Sequence, residues 1–184
     1  STIPQAIAKM KPRRIVVMMG TNNANGSMSA EEFSSEYADA MKAIEESYPY
    51  CDILIAAVPP IPEDHSKYPD LKMQTIDAFN QALVKLCEDK GYHFLNTSEV
   101  LKDETGFGKA EYFESSDIHM NADGLSAILS YVRTHVYESE DRRPDTNDIP
   151  QRASSASSGS SSSSSAVTYT AKYDVESAQQ GSLS

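Results

Sequence analysis

The chain has 184 residues, which suits one domain with some additional sequence. It carries 27 acidic against 16 basic residues, a formal net charge of −11. Binding to nucleic acid or to an anionic membrane surface needs a basic footprint, so this charge balance argues against both partners. The longest strongly apolar runs, RIVVMMG and CDILIAAVPPI, are far too short to span a bilayer.

The first segment, STIPQAIAKM, lacks the apolar core of a signal peptide and does not begin with Met. We therefore expect an internal start, as in a processed or excised chain. Residues 4–10 predict the end of a helix that stops near Pro12, and residues 14–20 predict a strand buried on both faces. Ser29 and Glu32 are spaced as a capping box and open a helix. The apolar face of that helix comprises Phe33, Tyr37, Met41 and Ile44.

The next elements continue the alternation of strand and helix. Residues 51–58 predict a second buried strand, halted by the proline-rich PPIP. A helix closed by Gly91 follows, with an apolar face of Met73, Ile76, Phe79, Leu83 and Leu86. Residues 92–97 predict a third strand and residues 98–101 a short helical piece. The last helix begins near Asn121, and its predicted apolar face comprises Leu125, Ile128, Leu129, Val132 and Val136.

This alternation, without hairpin signals, is typical of βαβ units and predicts an α/β fold with a parallel sheet covered by helices. Ligand sites in such folds lie at the carboxyl ends of the strands. The polar stretch GTNNANG follows the first strand, and a second polar stretch precedes Asn121. We therefore expect these two stretches to form a single site.

Composition divides the chain into three parts. Residues 1–138 carry the periodic elements, and residues 139–166 form a Ser-rich linker that we expect to be disordered because it has too little apolar surface to bury. Residues 167–184 predict a tail or the start of a further module. Ser tracts of this kind are common between modules of secreted bacterial proteins, so we expect a secreted, modular protein.

The two cysteines, Cys51 and Cys87, are interpreted as small buried apolar residues, although a disulfide between them stays open. No Cys/His cluster has zinc spacing, and GTNNANG lacks both phosphate-binding patterns, GxxxxGK[ST] and GxGxxG. We therefore expect no metal and no cofactor. A flavodoxin-like nucleotide-binding domain is the poorer hypothesis for the same reason.

Two residues are candidates for chemistry. Asn22 follows the turn at Gly20 and places an amide donor at the strand end, where it suits an oxyanion, although such a turn also forms for purely structural reasons. His119 follows Asp117 and precedes a helix, where an imidazole can be oriented and exposed as a general base. The remaining histidines are expected to be structural: His65, His93 and His135.

Taken together, residues 4–137 resemble the SGNH (GDSL-like) hydrolase family of esterases and lipases. The resemblance implies a three-layer α/β/α, flavodoxin-like sheet. MMGTNN is similar to the family block Gly-x-Asn-Asp, which implies that Asn22 donates to the oxyanion hole, with Asn23 in place of the usual Asp. DIHMNADG resembles the last block, which implies that His119 is the catalytic base.

The sequence departs from the family pattern at two places. Ser116 stands where the family has its aspartate, and Asp117 is one residue closer to His119, so either Asp117 or a backbone carbonyl orients the ring. The family's first block, Gly-Asp-Ser with the nucleophile, should precede Gly20, but only 19 residues do. Ser27 is better explained by turn chemistry, and the C-terminal QQGSLS lacks the Asp.

We therefore expect a domain that lacks its first strand or strands in this chain. A preceding segment or a separate chain would complete the fold and supply the serine, unless the sequence is a fragment. The resemblance implies a serine esterase acting on carboxylic esters, with O-acetyl groups on carbohydrate as the favoured substrate. The alternative is a non-catalytic carbohydrate- or protein-binding module of the same fold that has lost the nucleophile.

Overall fold

The computed structural model of the chain describes residues 1–135 and 138–144. Strands and helices alternate in the predicted order, and the three strands are parallel, with β2 between β1 and β3. The α/β prediction is therefore confirmed. The elements are α1 (Ile3–Met10), β1 (Arg14–Val17), α2 (Ala30–Ser47), β2 (Asp52–Ala56), α3 (Met73–Lys90), β3 (His93–Leu95), α4 (Ser98–Leu101) and α5 (Ala122–His135).

Helices cover both faces of the sheet. Successive residues of a strand point to opposite faces. Ile53 and Ile55 accordingly enter one hydrophobic core, with side chains of α1, α2 and α3. Leu54 enters a second core on the other face, with side chains of α4 and α5. The three-layer α/β/α arrangement is therefore confirmed.

β1 is less buried than the sequence predicted. All four of its residues are only half-buried, whereas Ile53–Ala56 of β2 are buried. The expectation of burial on both faces was wrong for β1 because this strand forms an edge of the described sheet. Its ladder runs to β2 alone, with Ile15 opposite Ile53 and Val17 opposite Ile55.

The helix ends follow the local sequence signals. The Ser29 hydroxyl oxygen accepts the backbone N–H of Glu32 at 3.1 Å, as an N-cap serine does. α3 ends at Gly91, whose φ of +75° is the left-handed conformation that glycine adopts at helix ends. Within residues 1–135 and 138–144, no helix combines the length and apolar character needed to cross a membrane.

The buried face of α5 differs from the predicted one. Ile128 and Val132 are buried as expected, but Leu125 and Leu129 are only half-buried and Tyr131 takes part in the core. The predicted apolar face is therefore confirmed at Ile128 and Val132, and the half-buried Leu125 packs against the same core. Tyr131 was not predicted to belong to it, and Val136 lies outside the described residues. A tyrosine can join the core in this way because its ring is apolar and its hydroxyl is the only polar part.

Residues 138–144 contradict the predicted start of the flexible linker. Arg142 pairs with Asp52 at the start of β2, with 3.1 Å between Nη2 and Oδ1. Arg143 donates to the backbone carbonyl of Lys11 at 3.1 Å, and Ser139 donates to the Asp52 carboxylate. Residues 139–143 thus pack against the domain. The predicted linker beyond residue 144 and the tail at 167–184 lie outside the described residues.

Cys51 and Cys87 are both buried and free, so no disulfide joins them. Burial raises the pKa of the Cys51 thiol to about 12 and that of the Cys87 thiol to about 11. Both thiols are therefore protonated and unreactive at neutral pH. This confirms the interpretation of both residues as small apolar members of the core.

Candidate active site

Gly20 forms the turn that follows β1. Its φ is +119°, and a Cβ built there would lie 2.7 Å from two ring carbons of Phe33, which is fully buried. Only glycine fits both the conformation and the space. The turn leads into a 3-10 turn at Thr21–Asn23, in which Asn22 is exposed. Within the described residues the Asn22 side-chain amide makes no hydrogen bond, so its N–H donors are available.

Replacing Gly20 with alanine is expected to destabilise the domain by about 2 to 4 kcal/mol, from backbone strain plus overpacking against Phe33. Urea unfolding of the purified protein measures the change. Gly26→Ala is the matched control: Gly26 also has a positive φ, +87°, but a Cβ there meets nothing within 4 Å. The control should cost only about 1 kcal/mol. Equal losses for the two variants would contradict the close approach to Phe33.

A tight turn before α5 presents Asp117 and His119. The backbone N–H of Glu114 donates to the carbonyl of His119 at 2.9 Å, and that of Asp117 donates to the carbonyl of Glu114 at 3.1 Å. Ser116, at the family's aspartate position, takes the left-handed conformation with φ +55°. The turn is closed by an antiparallel bridge between Phe113 and Met120. This turn brings the carboxylate of Asp117 to the imidazole of His119. It does so although Asp117 lies one residue closer to His119 in the sequence than the family's aspartate does.

Asp117 is the partner of the His119 ring. Its Oδ1 lies 2.5 Å from His119 Nδ1, and the same oxygen accepts the backbone N–H groups of Ile118 at 2.7 Å and His119 at 3.1 Å. Of the two orienting groups that the sequence left open, the structure therefore places the carboxylate, not a carbonyl, at Nδ1. The Asp117 side chain is 15% exposed and that of His119 45%. Within the described residues Nε2 of His119 makes no hydrogen bond, so it is free to exchange a proton.

Partial burial is the largest single influence on Asp117 and raises its pKa. The hydrogen bonds from the His119 ring and from the backbone N–H groups of His119 and Ile118 together outweigh it and lower the pKa to about 2. The carboxylate is therefore ionised at neutral pH.

The lowered pKa predicts a pH-dependent contribution to stability. Since the pKa of Asp117 falls from 3.8 to about 2 on folding, its ionised form stabilises the folded state above about pH 4. This stabilisation is lost as the pH falls towards 2. Urea unfolding at pH 6 should therefore find wild type more stable than Asp117→Asn, and the difference should shrink at pH 2.5. A difference that is the same at both pH values would contradict the hydrogen-bond network around Oδ1.

The loop of residues 62–72 connects the two turns. The Ser116 hydroxyl donates to Asp64 Oδ2 at 2.8 Å, and the backbone N–H of Lys67 donates to the Ser116 carbonyl at 3.0 Å. Lys67 Nζ also lies 3.6 Å from Asp117 Oδ2. At the other end of the loop, the backbone N–H of Lys72 donates to the Ala24 carbonyl at 3.3 Å, two residues beyond Asn22. Sequence reasoning missed this loop, whose only signal was a run of polar residues between prolines.

Apolar residues beside both turns are buried in the same hydrophobic core. Met19 and Ala24 flank the turn that contains Asn22, and both belong to the same buried cluster as Ile118, which lies between Asp117 and His119. Leu71 from the connecting loop joins them. The loop of residues 62–72 and this core thus link the two polar stretches, of which the one with Asn22 follows β1 at the carboxyl edge of the sheet.

The other expectations on site residues concern histidine and serine. The ring nitrogens of His65 face the carbonyl oxygens of Pro62 at 2.7 Å and Leu71 at 3.0 Å, which fits a structural role. Ser27 donates to Asn25 within its own turn. Across residues 1–135 and 138–144, no serine hydroxyl forms a hydrogen bond with His119. In the same residues no three His, Cys, Asp or Glu side chains form a group that could hold a metal ion.

Comparisons with known proteins agree with this architecture. A family model described as "GDSL-like Lipase/Acylhydrolase family" matches residues 2–127. A solved structure from Streptococcus pneumonia, provisionally described as a platelet activating factor, is 20% identical with a TM-score of 0.61 and covers 67% of this chain and 59% of that chain. A carbohydrate esterase family 3 protein from Talaromyces cellulolyticus is 19% identical with a TM-score of 0.53, covering 68% and 57% respectively.

A lipase/acylhydrolase from Enterococcus faecalis is 13% identical with a TM-score of 0.52, covering 71% of this chain and 66% of that chain. At these identities the likeness is one of fold. The chain spans a little under three fifths of the length of the first two solved structures. A comparison with curated proteins finds no match.

Proposed function

Because the chain belongs to the GDSL-like lipase/acylhydrolase family, we propose that it forms the base-carrying part of a serine esterase that hydrolyses carboxylic esters. The observation that carries the proposal is the pairing of Asp117 Oδ1 with His119 Nδ1 at 2.5 Å, on a half-exposed imidazole whose Nε2 is free within the described residues. A histidine fixed at one nitrogen and open at the other is the arrangement that general base catalysis needs.

His119 moves the proton in both halves of the reaction. Its Nε2 takes the proton from the serine hydroxyl as Oγ attacks the ester carbonyl carbon, and then delivers that proton to the alcohol as the C–O bond breaks. Water then attacks the acyl-enzyme with the same base and releases the acid. The ionised Asp117 holds the ring in one tautomer and stabilises the imidazolium that forms twice in this cycle.

Asn22 binds the oxyanion. Negative charge develops on the carbonyl oxygen in the tetrahedral intermediate, and a fixed N–H donor stabilises that charge without reorganising. Asn22 is exposed at the carboxyl edge of the sheet, its amide has no other partner in the described residues, and Gly20 fixes the turn that carries it. Backbone N–H groups outside this chain complete the oxyanion hole.

The nucleophilic serine comes from a preceding segment or from a separate chain that completes the fold. Two observations support this part of the proposal. The described serines leave His119 without a hydroxyl partner, and β1 has a strand neighbour on one side only within the described residues. A parallel strand added beside β1 ends at the same edge of the sheet as Asn22, which is where the attacking hydroxyl is needed.

The proposed substrate is an O-acetyl ester on carbohydrate. The Ser-rich tract at residues 154–165 supports a modular, secreted protein, and one protein of similar fold is named a carbohydrate esterase. An acetyl group needs no long apolar tunnel. The alcohol part of the ester lies on the side of His119, which protonates it as it leaves.

Turnover of p-nitrophenyl acetate, with and without prior treatment by a serine-directed fluorophosphonate, tests the proposal. We expect turnover that the fluorophosphonate abolishes, and a label on a serine outside residues 1–184. A label on a serine within the chain would overturn the proposal that the nucleophile lies outside residues 1–184. A folded, complete protein that neither turns over the ester nor takes the label would favour the alternative, a non-catalytic carbohydrate- or protein-binding module.

A further inference from the structure

Tyr68 is an exposed aromatic side chain that lies against the candidate base. Its ring centroid is 5.7 Å from that of His119, and the two planes meet at 65°. Among the described residues the large hydrophobic side chains left exposed are Tyr50, Tyr68 and Val84, and Tyr68 alone of these contacts a candidate catalytic residue. The contact is unexplained by the chemistry derived above, which needs a nucleophilic serine, a base, an orienting carboxylate and an oxyanion donor.

The loop that carries Tyr68 is tightly held. The backbone N–H of Tyr68 donates to the His65 carbonyl at 2.8 Å, and the Tyr68 carbonyl accepts the N–H of Leu71 at 3.2 Å. His65 is itself fixed between the carbonyls of Pro62 and Leu71. The neighbouring Lys67 anchors the loop to Ser116. Tyr68 is therefore presented to solvent from a preformed position, which reduces the entropy cost of binding a ligand.

The nitrogen of His119 that delivers the proton determines where the leaving alcohol lies. Nδ1 of His119 is occupied by Asp117, so the proton for the departing alcohol must come from Nε2. The alcohol oxygen then lies about 3 Å from Nε2. Among the exposed aromatic side chains of the described residues, Tyr68 is the one in contact with the imidazole that protonates this alcohol.

We propose that Tyr68 forms the leaving-group subsite and stacks on the pyranose ring of an acetylated carbohydrate. This inference rests on the proposed function and extends it by assigning the residue that recognises the alcohol. A sugar ring has an apolar C–H face that packs on an aromatic ring, and hydroxyls that need polar partners.

The surroundings of Tyr68 match a sugar and not a fatty alcohol. Apart from Pro69, the exposed side chains beside it in the loop are polar or charged, whereas a long hydrocarbon would require a continuous apolar lining. These side chains are Glu63, Asp64, Ser66, Lys67 and Asp70. An exposed aromatic ring in a loop rich in hydrogen-bonding side chains therefore favours a hydroxylated alcohol over a hydrocarbon one.

Saturation-transfer NMR on the purified chain tests the subsite without requiring turnover. The probes are methyl β-D-glucopyranoside, methyl β-D-xylopyranoside and methyl β-D-galactopyranoside, which contain no ester. We expect saturation of the C–H protons of at least one probe, and affinity about five- to tenfold weaker in Tyr68→Ala. Tyr68→Phe should keep the affinity, since it keeps the ring.

Tyr50→Ala is the matched control because Tyr50 is equally exposed but packs against Tyr48. Its loss should leave binding of all three probes unchanged. Absence of Tyr68-dependent saturation with every probe would overturn the inference. Binding that depends on Tyr68 in a protein without esterase activity would instead refute the proposed hydrolysis and keep the subsite.

Kinetics distinguish a subsite from a residue that merely orients His119. In the active protein, Tyr68→Ala should lower kcat/KM about five- to tenfold for the 6-O-acetyl ester of methyl glucoside, mainly through KM. It should leave hydrolysis of ethyl acetate nearly unchanged, because that alcohol has no ring. An equal fall in kcat for both esters would mean that Tyr68 only positions the imidazole, and would overturn the subsite.

Discussion

Replacing His119 with alanine is expected to lower the rate of p-nitrophenyl acetate hydrolysis by about 10²–10⁴-fold, the contribution usual for a positioned general base. The physical reason is specific to this ring. Nδ1 is held by Asp117 at 2.5 Å, so Nε2 is the only imidazole nitrogen that can take the serine proton. Without it the serine remains a neutral alcohol and a poor nucleophile.

The variant should remain folded, because the His119 side chain is half-exposed and its main-chain hydrogen bond to Glu114 does not involve the ring. Far-UV circular dichroism and urea unfolding verify this. His135→Gln is the matched control, since His135 stacks on Tyr131 at the end of α5 and bonds to that residue's carbonyl. A His119→Ala rate within a few-fold of wild type would mean that another group acts as base.

The sheet and its helices were predictable because they depend on local periodicity. The spacing of Phe33, Tyr37, Met41 and Ile44 places all four on one helix face whatever the helix packs against. The burial of β1 was not predictable in the same way. An apolar strand has the same sequence pattern at the centre and at the edge of a sheet, and only its neighbours decide which position it takes.

The candidate site was likewise predictable only where local sequence signals decide the structure. Asn22 and His119 could be named as candidates because a strand end and a helix start have local signals and the motifs around them are short. The orientation of Asp117 depended on the left-handed turn at Ser116, which no propensity rule assigns to serine. Local sequence rules predict the backbone conformation only where the residue types allow a single one.

Contacts between distant segments left no sequence signal at all. The bond from Ser116 to Asp64 joins residues 52 positions apart, and the pairing of Arg142 with Asp52 joins residues 90 apart. A charged segment with prolines, such as 62–72, has the same composition whether it is a free loop or a bridge between the two turns of the candidate site. The prediction that the flexible linker starts at residue 139 was wrong for the same reason. The composition of residues 139–143 is that of a linker, but Arg142 and Arg143 bind carboxylate and carbonyl groups of the domain.

Replacing Asn22 with alanine is expected to lower kcat about 10²–10³-fold while changing KM little. An oxyanion donor contributes mainly when negative charge has developed on the carbonyl oxygen, so its loss raises the barrier without weakening binding of the neutral ester. Asn22 is suited to this role because the turn that carries it is fixed by Gly20 and its amide has no competing partner in the described residues. Initial rates over a range of p-nitrophenyl acetate concentrations separate kcat from KM.

Asn25→Ala is the control, because Asn25 lies in the same stretch but its side chain bonds to Ser27 within its own turn. It should change kcat by less than about threefold. If Asn22→Ala raises KM at constant kcat, Asn22 contacts the bound ester and not the oxyanion. Asn22→Asp sharpens the test: it keeps the size of the side chain but places a negative charge where negative charge develops, so its kcat should fall at least as far as that of the alanine variant.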